Sequence, residues 1–351
     1  MSFYQLLQLN PGDLKKQIKD ADSHKYCLKA CIAIVVRAIL IVLFAMVLIA
    51  PLTPIFGVEN NAMLVVVFCI ILSIRFVDFG YNIKASVINM GLTFFLLAGG
   101  PILANFVHPL VGVLVNFVSL LLILIMTTKE PLMGNGGLYG FTYVFLAGNP
   151  VSGDLAIKRF ILAALCFVLC SIILYAKHKD KHQDVSFMDE INNFHLSSYK
   201  SQYQIRLALG VSLLLFIGDV FHLERFMWAG FACSSLLSTY ARNEIKSRSS
   251  HRIFSTIAGT LAFLIVYSFA PTSFHTLFGP ICGLCLGFCV EYRHKTTINC
   301  FSALLIATGL YGLKGALGLR IINNVLGVIF AGLFIYLFDR FLERHDFVSE
   351  Q

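Results

Sequence analysis

The 351-residue sequence contains few charged residues. Asp, Glu, Lys and Arg make up 13% of the chain, whereas soluble domains carry about 25%. Hydrophobic residues make up 58% of it, and the mean hydropathy is +0.79. A soluble core cannot absorb so much apolar surface, so a lipid bilayer must surround much of the chain. The scarcity of charge therefore excludes an ordinary soluble protein and predicts an all-α integral membrane protein.

The sequence also lacks a disulfide framework of the extracellular type, because most of its ten cysteines lie inside apolar segments. Cys282-x-x-Cys285-x-x-x-Cys289 resembles a metal-binding motif, but the Gly-rich apolar run 279–290 that contains it has no histidine or carboxylate. We interpret these cysteines as small residues that let helices approach closely. We expect no metal ion and no cofactor.

A secretory signal peptide is not evident, because the first 26 residues are polar and the apolar segment after them is too long. A phosphate-binding GxxxxGK[ST] loop is absent, which argues against ATP hydrolysis within this chain. The sequence therefore favours a protein that is not an enzyme. The alternative that stays open is a membrane-embedded transferase acting on a lipid-linked or small substrate.

Twelve apolar segments are what the sequence does contain, and most are long enough to cross a bilayer. They lie near residues 30–50, 62–75, 85–104, 108–127, 137–148, 159–176, 205–222, 226–241, 253–270, 274–291, 297–313 and 320–338. With the N-terminus inside, the cytoplasmic segments hold 20 Lys and Arg residues and the outside loops hold five. This asymmetry predicts that both termini lie in the cytoplasm, and it explains the net charge of +8 without nucleic acid as a partner.

The longest internal polar stretch, 177–204, divides the chain into two halves of six segments each. We predict a first membrane repeat over 30–176 and a second over 205–338, parallel to each other because both enter the membrane from the same side. The stretch between them is interpreted as a solvated cytoplasmic linker. Its His178-x-x-x-His182 pair has helical spacing for a metal, but the surrounding lysines favour the linker interpretation.

The two ends of the chain are predicted to be cytoplasmic. Residues 1–29 form a polar N-terminal segment, with a short amphipathic helix after Pro11, and residues 339–351 form a tail.

A cation followed seven residues later by a small residue recurs at the start of apolar segments. The clearest case follows the basic loop that begins at Arg242. The four cases are Arg252…Gly259, Lys84…Gly91, Arg159…Cys166 and Arg320…Gly327. We interpret the cations as anchors that fix orientation and the small residues as points of close packing between helices.

Several short motifs in the second half resemble the fusaric acid resistance protein family, also called aromatic acid exporters. They are Met227-Trp228-Ala229, the basic loop, Arg252-Ile253, Gly259-Thr260 and Arg320…Asn324…Gly327. The resemblance implies a multi-pass exporter of aromatic carboxylic acids or similar organic anions in the inner or plasma membrane. Many members carry a large cytoplasmic domain after each half. Here the linker has about 28 residues, so we expect a minimal, membrane-only member.

A permease for an organic anion needs a cation for the carboxylate, aromatic surface for the ring and, if protons drive it, a titratable group. Ionisable groups at membrane depth are functional candidates by default. Short segments at matched positions of two repeats mark the binding region of many transporters. We therefore predict these substrate-binding residues: Arg37, Arg206, Trp228, Arg252, Arg320, Tyr143 and Tyr311.

Most of these residues also have a structural interpretation. Arg206 lies near the cytoplasmic end of its segment, where snorkelling of the side chain to the membrane surface explains it. Arg252 and Arg320 are predicted to start helices on opposite sides of the membrane, either as anchors or at the two mouths of an anion pathway. Trp228 near the outer interface is typical of the aromatic belt. Tyr143 and Tyr311 face a substrate ring or serve only in packing.

Asp219 is the predicted proton carrier, since burial would raise the pKa of a carboxyl group at this depth. His222 would share its helix face. The alternative is that Asp219 is a solvated carboxylate at the membrane–water interface. The expected partners are the lipid bilayer, a small organic anion and a second copy of the chain in a homo-oligomer.

Overall fold

The computed structural model describes residues 1–21 and 23–345, and all regular structure in this part of the chain is helical. The α-helices follow one another as α1 (Phe3–Gln8), α2 (Pro11–Lys19), α3 (His24–Ile49), α4 (Thr53–Phe56), α5 (Asn61–Ile74), α6 (Ile83–Phe106), α7 (Pro109–Thr127), α8 (Asn135–Ala147), α9 (Asp154–His178), α10 (Phe187–Asn192), α11 (Tyr199–Val220), α12 (Met227–Leu237), α13 (Ile245–Phe269), α14 (Phe278–Phe288) and α15 (Tyr292–Arg344). Short 3₁₀ turns lie at Val58–Asn60, Pro131–Met133, Arg242–Glu244 and Thr272–Leu277.

Seven helical stretches in the described residues are long and apolar enough to cross a membrane. They are His24–Phe56, Ile83–Phe106, Pro109–Thr127, Asp154–His178, Tyr199–Val220, Arg242–Phe269 and Tyr292–Arg344. The all-helical, multi-pass character expected from the composition is therefore confirmed. Every predicted apolar segment overlaps a helix, but twelve crossings, two parallel repeats and two cytoplasmic termini stay predictions.

The longest helix, α15, is interrupted at Gly312. This residue has φ 67° and ψ 169°, whereas helical residues need negative φ. Glycine adopts positive φ without the steric cost that a Cβ imposes. The predicted segments 297–313 and 320–338 thus correspond to the two parts of α15 on either side of this break.

The chain forms two compact units. The first consists of Met1–Leu48 and Ser249–Ile322, and the second of Ile49–Arg248 together with the residues from Asn323 onward. The second unit therefore contains the whole of the predicted linker, 177–204. The boundaries between the units fall inside α3, α13 and α15.

In the first unit, the N-terminal segment folds onto α3. The side chain of Asn10 caps α2 by accepting a hydrogen bond from the Asp13 amide at 2.9 Å, and Pro11 occupies the first turn. Leu6 and Leu14 are fully buried and belong to a cluster with Ala30, Ala33 and Ile34 of α3. The helix predicted after Pro11 is confirmed, and its Leu14 side chain packs into the cluster on α3.

Close helix packing in the first unit depends on small residues, as the sequence predicted. A Cβ atom on Gly259 of α13 would stand 2.5 Å from the carbonyl oxygen of Thr297 on α15. A Cβ atom on Gly287 of α14 would stand 2.7 Å from that of Ala38 on α3. All ten cysteines are free thiols. Gly287 and the buried Cys282 thus fit the predicted packing role, whereas Cys285 is exposed and no atom lies within 4 Å of the Cβ position on Gly279.

The second unit is built around α6, α7 and α11. Helix α6 packs against α7 and α9, and α11 packs against α7 and α12. Helix α8 fills the space beside α12. Gly327 of α15 meets the Ala229 carbonyl of α12 so closely that a Cβ atom would overlap it. This contact confirms the packing role predicted for the small residue after Arg320.

The predicted linker is only partly solvated. Helix α9 continues to His178, α11 begins at Tyr199, and α10 lies between them. The His178 side chain is 5% exposed, and its Nε2 lies 2.6 Å from the carbonyl oxygen of Ile74. A buried imidazole against a backbone carbonyl donates a hydrogen bond there. His178 therefore ties the end of α9 to the end of α5 instead of standing in solvent.

Candidate functional site

A cavity of about 230 Å³ lies in the second unit where α11 ends and α12 begins. We call it the α11–α12 cavity. Its walls come from the last turns of α6, the first half of α7, the end of α8 and the turn between α11 and α12. The lining residues are Pro101, Ala104, Asn105, Asn116, Ala147, Gly148, Pro150, Leu215, Gly218, Asp219, Leu223, Arg225, Phe226 and Met227.

The turn between α11 and α12 has an unusual backbone. His222 and Arg225 have φ values of 48° and 51°, in the left-handed region that non-glycine residues rarely adopt. The Leu223 amide donates to the Gly218 carbonyl at 3.0 Å, which closes the turn back onto α11. Such conformations cost about 1–3 kcal/mol each and cluster at functional sites. The turn places Leu223 and Arg225 in the cavity wall.

Asn323 of α15 fixes this turn from outside the cavity. Its side-chain amide donates to the carbonyl oxygens of Glu224 at 3.1 Å and Arg225 at 3.4 Å. The Asn323 side chain is buried, and the Arg225 carbonyl also accepts from the Trp228 amide at 2.9 Å.

The inner wall of the cavity is polar. Asn116 of α7 lines it, and Asn116 Oδ1 accepts a hydrogen bond from the Tyr143 hydroxyl at 2.8 Å. Tyr143 itself is fully buried. This hydrogen bond fixes the orientation of the Asn116 amide, since its oxygen is already engaged. Tyr143 therefore supports the cavity wall through its hydroxyl and is not itself a lining residue.

Asp219 lines the cavity and faces the same space as Arg225. The helix ends at Val220, and His222 has left-handed backbone angles. The predicted shared helix face of Asp219 and His222 is therefore wrong, because the chain leaves the helix between them. The two side chains still interact electrostatically across the turn.

Together these groups can hold a small anion with an apolar body. The Arg225 guanidinium can donate to a carboxylate, and the amides of Asn105 and Asn116 are further polar partners. Leu215 and Phe226 line the same space and provide apolar contact.

Arg206 and Trp228 are buried in the second unit. Arg206 Nη2 donates to the carbonyl oxygens of Leu237 at 3.3 Å and Thr239 at 2.7 Å, and the side chain is 2% exposed. Snorkelling to the surface therefore does not describe it. Trp228 is also 2% exposed, so it is a core residue and not part of a lipid-facing belt. Neither lines the α11–α12 cavity.

Arg252 and Arg320 lie in one cluster of the first unit. Arg252 Nη1 donates to the Tyr292 hydroxyl at 3.2 Å, and Arg320 Nη2 lies 3.8 Å from Cys300 Sγ. The two guanidinium groups interact electrostatically. Separate positions at two mouths of a pathway are therefore wrong for this pair, because the break at Gly312 turns α15 back toward α13.

The two remaining predicted residues belong to the first unit. Arg37 is half-buried on α3, and Tyr311 is half-buried directly before the Gly312 break. Of the predicted site residues, only Asp219 lines the α11–α12 cavity, and Tyr143 supports it. Whether any of them binds a substrate stays a prediction.

The cavity also contains polar residues that the sequence did not single out. Arg225 resembled an ordinary loop cation, and its left-handed backbone has no clear sequence signal. Asn105 and Asn116 were different, since each is a polar side chain within or beside an apolar segment. A buried amide needs hydrogen-bond partners. An asparagine in an apolar segment is therefore a sequence signal for a polar site, and a search limited to charged residues misses it.

Comparison with known proteins bears on the same region of the chain. Residues 213–339 match the family model described as fusaric acid resistance protein-like. The match includes the end of α11, the turn, α12 and the part of α15 that contains Asn323 and Gly327. It confirms the resemblance expected from the sequence motifs. No curated protein matches the chain, and no solved structure matches it.

Proposed function

We propose, from the match of residues 213–339 to the fusaric acid resistance protein-like family, that this membrane protein is a secondary transporter. Its substrates would be aromatic carboxylic acids or similar small organic anions, which it exports across the cell membrane. The α11–α12 cavity is the proposed binding site. The observation that carries this proposal is the presence of a cation, a carboxylate and two amides in one partly apolar cavity, which lies where candidate membrane spans end.

Arg225 is the proposed anchor of the substrate carboxylate. A guanidinium group matches a carboxylate with two parallel N–H donors, and this geometry orients the ligand as well as holding it. The amides of Asn105 and Asn116 would complete the polar half of the site. The substrate ring would then lie against apolar side chains such as Leu215 and Phe226.

Asp219 is the proposed proton site. When ionised, the Asp219 carboxylate competes with the substrate anion for the positive charge of Arg225, because Asp219 and Arg225 line the same small cavity. Protonation of Asp219 removes this competition. Anion binding and proton binding would therefore favour each other, and the affinity for the anion would rise as the pH falls.

The proposal is tested by growth and by binding. A strain that lacks the gene is challenged with a panel of aromatic acids and complemented with wild type, Arg225→Gln, Asp219→Asn or Lys158→Gln. Lys158 is an exposed cation outside the cavity and serves as the matched control. We expect wild type and Lys158→Gln to restore resistance to at least one acid, and Arg225→Gln to fail.

Binding of that acid to the purified full-length protein is then measured by calorimetry in detergent. We expect Arg225→Gln to weaken it by about tenfold or more, since a charge-assisted hydrogen bond is lost. In Asp219→Asn the rise in affinity at low pH should disappear. If the deletion strain were as resistant as wild type to every acid, the exporter would be overturned. Unchanged binding by Arg225→Gln would overturn the site.

A further inference from the structure

Two apolar side chains at the start of α12 form part of the wall of the α11–α12 cavity. They are Phe226 and Met227, which directly follow Arg225 in sequence and line the same space. Each is 8% exposed, so most of its surface lies against protein. Because Arg225 is the proposed anchor of the carboxylate, these side chains are placed to contact the apolar body of a bound acid.

Both side chains pack against glycines of neighbouring elements. A Cβ atom on Gly148, directly after α8, would stand 2.5 Å from Met227 Cβ and 2.7 Å from its sulfur. A Cβ atom on Gly218 of α11 would overlap the Phe226 ring. Neither side chain can therefore move toward its glycine, because the backbone already lies against it.

Met227 is a flexible kind of side chain held in one position. Methionine is unbranched, has three rotatable bonds and normally adapts its shape to its surroundings. Here Asn149 Nδ2 donates to Met227 Sδ at 3.7 Å and to the Phe145 carbonyl at 2.8 Å. The amide that holds the sulfur is thus itself fixed to α8.

Helix α12 is also tightly packed on α8, through two further glycines. A Cβ atom on Gly230 of α12 would stand 2.6 Å from Val144 Cγ1, and one on Gly140 of α8 would stand 2.5 Å from Ser234 Oγ. Interiors packed this closely are hardly compressible. A ligand larger than the cavity therefore meets a wall that does not withdraw.

The cavity is small for a ligand site. Its volume of about 230 Å³ lies below the ~300–1,000 Å³ of pockets that hold drug-sized molecules. Part of this volume borders Arg225, Asp219 and the two asparagine amides, so only the remainder is available to an apolar body. One aromatic ring therefore fits this space better than two fused rings.

We propose that Met227 limits the size of the substrate and restricts the α11–α12 cavity to carboxylic acids with a single aromatic ring. This inference rests on the proposed transport function, because it concerns the same cavity and adds the class of acid that fits. Met227 is preferred to Phe226 because both Gly148 and Asn149 fix its position. Acceptance of one methylene group in an apolar pocket changes specificity by about 10–200-fold, so one side chain is enough to exclude a second ring.

The test measures binding of benzoate and naphthoate to the purified full-length protein by calorimetry in neutral detergent. Both probes carry one carboxylate, but naphthoate has two fused rings. The variants are Met227→Ala, Met227→Val, which removes less of the side chain, and Met227→Leu, which nearly conserves its volume. Met63→Ala is the matched control, since Met63 is a fully buried methionine of α5 that does not line the cavity.

We expect wild type, Met227→Leu and Met63→Ala to bind benzoate at least about tenfold more tightly than naphthoate. Met227→Ala should lower this ratio by about tenfold or more, because the second ring gains the space that the thioether occupied. Met227→Val should lower it by less. Retained benzoate binding shows that a variant is folded, and Met227→Val decides the question if Met227→Ala does not fold.

Three results would overturn the inference. An unchanged ratio in Met227→Ala and Met227→Val, with benzoate still bound, would show that Met227 does not limit the ligand, and it would leave the proposed function intact. Equal binding of both acids by wild type would mean that the cavity admits two rings. If wild type bound neither acid, the proposed binding site would fail together with this inference, so the two failures give different results.

Discussion

The side-chain amide of Asn323 donates a hydrogen bond to the backbone carbonyl of Glu224 at 3.1 Å, across 99 positions in sequence. A second bond reaches the Arg225 carbonyl at 3.4 Å. The last long helix thereby stabilises a turn whose backbone is strained at His222 and Arg225. The geometry of the α11–α12 cavity depends on this connection, because the turn forms one of its walls.

Replacement of Asn323 by alanine should loosen the turn. The two hydrogen bonds from the Asn323 amide are lost, at about 0.5–1.5 kcal/mol each. The Arg225 carbonyl keeps the Trp228 amide as a donor, but the Glu224 carbonyl loses its bond to α15 and the turn is held less firmly. We expect Asn323→Ala to weaken binding of an aromatic acid several-fold when measured by calorimetry. Ile322→Ala is the control, since its side chain is exposed on the same helix. Equal binding by both variants would show that the turn is stable without Asn323.

The buried cation Arg159 needs Asn60. Arg159 Nε donates to Asn60 Oδ1 at 2.9 Å, and its Nη2 donates to the Glu59 carbonyl at 3.1 Å. Asn60→Ala removes a hydrogen bond to a buried charge and should lower the free energy of unfolding by about 2–3 kcal/mol. Unfolding by sodium dodecyl sulfate in mixed micelles measures this change.

Glu59→Ala is the matched control, because it keeps the backbone carbonyl that accepts from Arg159 and alters only an exposed side chain. We expect it to be near neutral. If both variants lost the same stability, the effect would belong to the 3₁₀ turn at Val58–Asn60 and not to Arg159.

The close contact of Gly327 with Ala229 predicts that alanine substitution has different effects on stability at two glycines of the same helix. A methyl group on Gly327 would overlap the Ala229 carbonyl, whereas no atom lies within 4 Å of the Cβ position on Gly332. Gly327→Ala should destabilise the protein by about 1–3 kcal/mol through overpacking. Gly332→Ala should be neutral or stabilise it by up to about 1 kcal/mol, because alanine is the better helix former. Thermal unfolding in detergent compares them, and equal effects would contradict the close packing.

Asp78 predicts a dependence of stability on pH. Its carboxylate accepts from the Gly80 amide at 2.8 Å and from Lys181 Nζ at 3.2 Å. His182 Nε2 lies 3.2 Å away and His178 Nδ1 lies 3.7 Å away. These groups connect the loop after α5 with the end of α9.

Partial burial raises the pKa of the Asp78 carboxyl, but the hydrogen bond from Gly80 lowers it. Lys181 and His182 lower it further, so the pKa lies below its ordinary value. The stabilisation is therefore present above the unfolded pKa, about 3.9, and is lost as the pH falls through the folded pKa.

Wild type should consequently melt at a higher temperature than Asp78→Asn at pH 7, with the difference shrinking below about pH 4. Thermal unfolding followed by circular dichroism from pH 7 to pH 3 measures the difference. A gap that stays constant over this range would mean that the Asp78 charge does not contribute.

The sequence predicted the helices well, but it singled out few of the residues that line the α11–α12 cavity, for different reasons. Apolar runs must be helical in a bilayer, because every backbone N–H and C=O group needs an internal partner there. The close packing of Gly259 and Gly327 was predicted from a different pattern, a small residue seven positions after a cation in an apolar segment. The cations Arg206, Arg252 and Arg320 were harder to assign. The local sequence around an arginine does not reveal whether its side chain faces lipid, solvent or the protein interior.

Composition and the order of apolar segments by themselves determined that this is an all-helical, multi-pass membrane protein, because burial in lipid is a property of local sequence. Only the tertiary structure decided which polar residues meet. Asn323 reaches the turn at Glu224, and Arg242 reaches Asp339, through contacts between residues about a hundred positions apart. Such contacts depend on how helices pack and where the backbone turns at Gly312 and Arg225, and no local pattern specifies either.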